Sequence, residues 1–100
     1  MSDFGLNENT INILKEFFCK FPEIEQVKIY GSRAKGNYHK GSDIDFAIFG
    51  NTSPDLASKI AGEIYELPLP YKFDITDYNS IGNLSLKDHI DRVGRIFYKL

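Results

Sequence analysis

One hundred residues, 42% of them hydrophobic and 26% charged, have the composition of an ordinary folded domain and not of a disordered or repetitive chain. That length supports one core and leaves no room for a separate substrate domain, so residues 1–100 are read as a single domain. A net charge of −2 gives no whole-molecule attraction for nucleic acid, and no apolar run approaches the roughly 18 residues of a membrane span.

The opening segment, MSDFGLNENT, lacks the basic-then-apolar layout of a secretory signal. Cys19 stands alone and cannot form an internal disulfide, which fits a reducing compartment. A cytoplasmic protein with no membrane partner and no direct nucleic-acid binding is the expectation. Ile11, Leu14, Phe18 and Phe21 then recur at helical spacing, with Asn7 or Asn9 as the cap and Pro22 as the stop. QVKIY reads as a strand ending at Gly31, and DIDFAIF as a second strand closed by Gly50 and Asn51. SPDLASKIAGEIYEL opens with Ser53 as cap, Pro54 at the first helical position and Asp55 at the positive end of the dipole. Leu56, Ile60, Ile64 and Leu67 supply its core stripe. LPLP forces an extended connection into a third strand, YKFDIT. A last helix is expected to open near Ser85 with Asp88 completing a capping box, and to stop at Gly94 before a terminal strand, RIFYKL. Alternating helices and strands of this kind make an α/β or α+β fold with a small mixed sheet flanked by helices.

The chemistry concentrates between Gly31 and Asp45. Alternate residues of a strand share a face, so Asp43 and Asp45 point one way while Ile44, Phe46 and Ile48 point into the core. Two strand steps put their Cα atoms about 6.6 Å apart. Carboxylates so placed can flank divalent metals about 3.5–4 Å apart, the arrangement of two-metal phosphoryl-transfer sites. Hard oxygen donors suit magnesium, which completes its shell with water and substrate phosphates. Like charges this close repel, and Asp is depleted in strands. A half-exposed strand with a polar outer face is the alternative, but Ala47 and Phe49 continue that face, so it is not simply solvated.

From Gln26 through Ser42 no acidic residue occurs, while Lys28, Arg33, Lys35, His39 and Lys40 all do. Gly31-Ser32 stands where a strand ends and a helical turn can begin, a place where glycine lets the backbone approach a phosphate and a helix start favours anions. The spacing of a Walker loop is absent. Arg33 and Lys35 can reach phosphate, although basic side chains on an exposed turn are more often solvated. Histidine is the side chain that can tune a pH dependence near neutrality, but His39 sits in a loop, where a histidine is usually uninvolved. Tyr30 and Phe46 are assigned to the core.

Gly31-Ser32-Arg33-Ala34-Lys35-Gly36 followed by Ser42-Asp43-Ile44-Asp45 resembles the GSRA-(K/R)-G…SDID motif of the minimal, MNT-type nucleotidyltransferases in the DNA polymerase β-like superfamily. The resemblance extends over nearly the whole chain, to the final helix and the GRIFY strand. It implies a mixed-sheet nucleotidyltransferase fold that moves AMP from ATP to a hydroxyl. Gly31, Ser32, Arg33 and Ser42 would bind the nucleotide, and Asp43 and Asp45 would hold two magnesium ions. A third carboxylate on a later strand, Asp74, would complete the metal site and assist the acceptor. It further implies an antitoxin whose partner is a HEPN-domain toxin, neutralised by AMP transfer to a tyrosine, in a homo- or hetero-oligomer. A non-catalytic module that masks the partner by contact is the alternative, as is a small-molecule transferase, though the latter resembles enzymes with an additional substrate domain.

Strand parity separates Asp74 from Asp77 in KFDITDY. Phe73 and Ile75 must face the core, which sends Asp74 and Thr76 to the other face. Asp77 would have core parity, a costly place for a charge, so the chain is expected to have turned before it.

Overall fold

The protein is represented by a computed structural model that describes residues 4–39 and 41–100. Four strands form one mixed sheet, as the alternation of elements predicts. Helix α1 (Glu8–Cys19) leads into β1 (Ile24–Tyr30), a short helix α2 (Ser32–Lys35) and β2 (Ile44–Gly50). Helix α3 (Pro54–Glu63) continues through a 3-10 turn, Ile64–Glu66, toward β3 (Phe73–Asp77). A second 3-10 turn, Tyr78–Ser80, precedes α4 (Leu84–Val93) and β4 (Arg95–Lys99). The strand order is β3-β2-β1-β4. β1 pairs antiparallel with β2 and β4, whereas β2 and β3, joined through α3, run parallel.

The helix starts follow capping chemistry. The Asn7 side chain accepts from the Thr10 amide at 2.8 Å, so Asn7 and not Asn9 caps α1. That helix ends at Cys19, just ahead of Pro22, and the Lys20 amide closes its last turn. Ser53 accepts from the Leu56 amide at 3.2 Å, with Pro54 behind it in the first turn of α3. The last helix departs from expectation. Asn83, not Ser85, is its cap, accepting from the Leu86 amide at 3.1 Å. The capping box with Asp88 does not form, because that carboxylate pairs with Arg92 one turn later at 2.8 Å.

The sheet is covered on both faces. Val27, Ile29, Ile44, Phe46, Ile48 and Phe97 pack with α1 and α3 into the main core, where Phe18 meets Phe46 edge-on at 5.1 Å between ring centres. On the opposite face Ile90 and Leu86 of α4 lie over Tyr30, Ala47 and Phe49 in a smaller cluster. Ala47 is fully buried there, in keeping with a face that is not simply solvated.

β3 continues through Asp77, against the expectation that the chain turns first. Asp77 is buried at the core parity and aligned with Ile48. Its desolvation is offset by three donors: the Thr52 hydroxyl at 2.6 Å, the Ser80 hydroxyl at 2.6 Å and the Asn79 amide at 3.2 Å. At the other end of the strand, the Tyr65 hydroxyl accepts from the Phe73 amide at 3.0 Å and donates to the Phe73 carbonyl at 3.3 Å. Among the described residues, no helix is long and apolar enough to cross a membrane.

Candidate functional site

The two halves of the glycine–aspartate motif meet at the end of the sheet. β1 ends at Tyr30, whose Cα partner on β2 is Asp45. The next residue, Gly31, takes φ +74° and ψ −153° and stands as the cap of α2. That backbone is strained for an L side chain. A Cβ at Gly31 would also collide with the Asp45 carboxylate, so the turn lies directly against the acid. The Ser32 and Gly31 carbonyls accept the Gly36 and Lys35 amides at 3.0 and 3.1 Å, which closes the short helix.

The parallel register puts Asp45 abreast of Asp74. Asp43 stands one residue ahead of β2, exposed, while Asp45 is half-buried and Asp74 is exposed on the edge strand. Asp74 thus shares a sheet face with Asp45, as strand parity predicts. Burial, then the charge of Asp74, then that of Asp43, push the Asp45 carboxyl up from 3.8 to about 6. Among the described residues no three acids already converge as a closed metal cluster. Their donor chemistry nevertheless fits magnesium: three hard oxygen ligands, one of them destabilised as an anion by its neighbours, on an open face where substrate oxygens can complete the shell.

Arg33 is placed differently from its expected contact with nucleotide. It is only 3% exposed. Its Nη1 donates to the Phe4 carbonyl at 2.9 Å, while Nη2 and Nε donate to the Ser42 carbonyl at 3.0 and 3.3 Å. The rings of Tyr38 and Tyr71 each stand 5.3 Å from the guanidinium. With these donors committed to backbone carbonyls, Arg33 clamps the N-terminal segment to the loop before Asp43. Ser42 also works within that loop, its hydroxyl accepting from the His39 amide at 2.9 Å. Lys35 and His39 are exposed, and Lys40 lies outside the described residues.

Tyr30 is the residue that pattern reasoning missed. It is buried, as a core tyrosine should be, but on the acid-bearing face and not in the main core. Its hydroxyl lies 3.0 Å from the Thr76 hydroxyl and 3.4 Å from the Asp74 carboxylate. Burial is the main cause of a phenol pKa raised to about 12. Its parity with Lys28, opposite to Val27 and Ile29, was the signal available in the sequence. A cavity of about 420 Å³ flanks Thr76 along β3, lined by Ala57, Ala61, Ile75 and Leu86. The three acids lie outside its lining.

Residues 12–100 match the family model described as polymerase beta, nucleotidyltransferase. No curated protein matches the chain. Among solved structures, a toxin–antitoxin with AMP-PNP superposes with a TM-score of 0.73 at 24% identity, over 95% of this chain and 75% of the other. A tri-AMPylated HEPN toxin from Shewanella oneidensis in complex with its MNT antitoxin gives 0.70 at 15% identity, over 95% and 74%. A candidate nucleotidyltransferase from Sulfolobus solfataricus gives 0.55 at 24% identity, over 90% and 77%. At these identities the likeness is one of fold.

Proposed function

Since this chain belongs to the polymerase beta nucleotidyltransferase family, we propose that it is a magnesium-dependent adenylyltransferase. In this reading it moves AMP from ATP to a tyrosine of a HEPN-type toxin and acts in the cytoplasm as the antitoxin of that pair. The observation that carries the reading is the contact of the Gly31 turn with Asp45, itself aligned with Asp74. The glycine turn, the half-buried acid and the exposed acid thus follow one another across three strands, which supports a site for phosphate and metal there. The AMP-PNP complex and the AMPylated toxin among the structural neighbours support the nucleotide and the acceptor class.

Asp43, Asp45 and Asp74 would hold magnesium, which supplies charge neutralisation at the transferring phosphate. The chain's own residues supply position. The Gly31-Ser32 backbone and the Ser32 hydroxyl meet the phosphate oxygens, and Arg33 and Ser42 hold the loop that carries Asp43. Asp74 orients the acceptor hydroxyl and takes its proton. The acceptor oxygen forms a bond to the α-phosphorus as the bond to the bridging oxygen breaks, and pyrophosphate leaves. In this reading the acceptor belongs to a second chain, in line with the AMPylated toxin found with its antitoxin among the structural neighbours.

Labelled ATP, magnesium and the co-encoded protein, followed by intact-mass measurement of both chains, test this directly. The added mass of AMP is expected on the partner and is lost with Asp43→Ala or Asp45→Ala. Neutralisation of the partner by the double alanine variant, without mass change, would replace the enzyme with a masking module.

A further inference from the structure

We propose that Tyr30 is a positioning residue for the reaction, its hydroxyl holding Asp74 in one orientation. The catalytic consequence rests on the transferase reading above; the positioning itself does not. Tyr30 belongs to β1 and Asp74 to β3, with β2 between them. The tyrosine ring must therefore cross an entire strand to bring its hydroxyl to the acid. Ala47 permits the crossing: on the same face of β2 and fully buried in one cluster with Tyr30, it offers only a methyl group beneath the ring. From above, Ile90 of α4 closes the cluster, and the His89 ring stands edge-on at 6.0 Å. A phenol held this way has little freedom to leave.

The hydrogen bonds have one arrangement that satisfies all three residues. Thr76 donates its hydroxyl proton to the Tyr30 oxygen at 3.0 Å, and Tyr30 donates its own proton to Asp74 Oδ2 at 3.4 Å. One carboxylate oxygen of Asp74 is thus occupied from within, which turns Oδ1 toward the magnesium site and the acceptor hydroxyl. Asp74 is otherwise an exposed side chain on an edge strand, where rotamers interconvert freely. Inner partners that orient a ligating carboxylate change activity by about 10- to 100-fold when removed.

Tyr30→Phe removes the hydroxyl and keeps the ring, so the fold is retained. Its kcat is expected to fall about 10- to 100-fold with KM for ATP unchanged within about twofold. In an Asp74→Asn background the same substitution should cost nothing further, because the two residues act as a unit. Thr76→Ser should retain activity and Thr76→Val should not. Independently of activity, side-chain couplings of Asp74 measured by NMR should report a single rotamer in the native chain and averaging in Tyr30→Phe. Identical couplings in the two proteins would overturn the inference, as would additive losses in the double variant. Different couplings in a chain that transfers no AMP would uphold it and overturn the transferase reading instead.

Discussion

Gly31 and Asp45 touch so closely that no side chain fits between them: a methyl group on the glycine would overlap the carboxylate. The two motif halves, carried at the ends of consecutive strands, are therefore one structural unit. Gly31→Ala should cost about 1–3 kcal/mol from the positive-φ backbone alone, and ATP binding should be lost with it. Combining it with Asp45→Ala removes the overlap and leaves the backbone strain. The double variant should then regain part of the melting temperature but no nucleotide binding in calorimetry.

Asp45 makes the metal-free fold sensitive to pH. Its folded carboxyl gives up its proton near 6 against 3.8 in an ordinary aspartate, so the folded state holds the proton more tightly. The associated stability is fully present below about pH 3.8 and is lost as pH rises through about 6. At pH 7–8, Asp45→Asn without metal should be more stable than the native chain by about 1 kcal/mol, allowing for solvent screening of the half-open carboxyl. Magnesium should raise the melting temperature of the native chain and leave that of Asp45→Asn unchanged. Denaturation with and without chelator across pH 4–8 measures both effects.

Asp74 and Asp77, three residues apart, should behave oppositely. Asp74→Asn loses the group that orients the acceptor, so turnover should fall about 10²- to 10⁴-fold while ATP affinity holds. Asp77→Ala strips the partner from the Thr52 and Ser80 hydroxyls and should cost about 2 kcal/mol of stability. Asp77→Asn keeps an acceptor oxygen and should remain folded and active. Paired melts and transfer assays of the three variants separate the roles.

Arg33→Lys tests the clamp. An ammonium cannot bridge the Phe4 and Ser42 carbonyls as a planar guanidinium does, so about 1–2 kcal/mol should be lost. Amide hydrogen exchange at residues 37–43 should quicken. A fall in ATP affinity with no change in stability or exchange would return Arg33 to direct phosphate contact.

Element types and most boundaries were legible because local signals agreed: Ser53 and Pro54 opening α3, glycines closing β1 and β2, and the strand parity that brings Asp45 and Asp74 to one face. Where the reading went astray, a long-range partner decided the outcome. Asp77 has the wrong polarity for its parity, and only Thr52 from the preceding loop and Ser80 beyond the strand make the position tolerable. Arg33 looks like a surface cation until Phe4 and Ser42 are seen to present carbonyls to it. Tyr30 reads as core because its partner Asp74 lies 44 positions away. Ser85 was read as the last cap; Asn83 takes that place, two residues earlier, and Asp88 pairs with Arg92 instead.

The Tyr65 hydroxyl accepts from the amide of Phe73 and donates to its carbonyl, the two bonds a residue of a further strand would make there. A sheet margin of this kind otherwise serves as a template on which another chain can be laid. One phenol therefore impersonates the first rung of a ladder that is never built. At that end of the β3 margin, Phe73 offers neither its amide nor its carbonyl to an incoming strand.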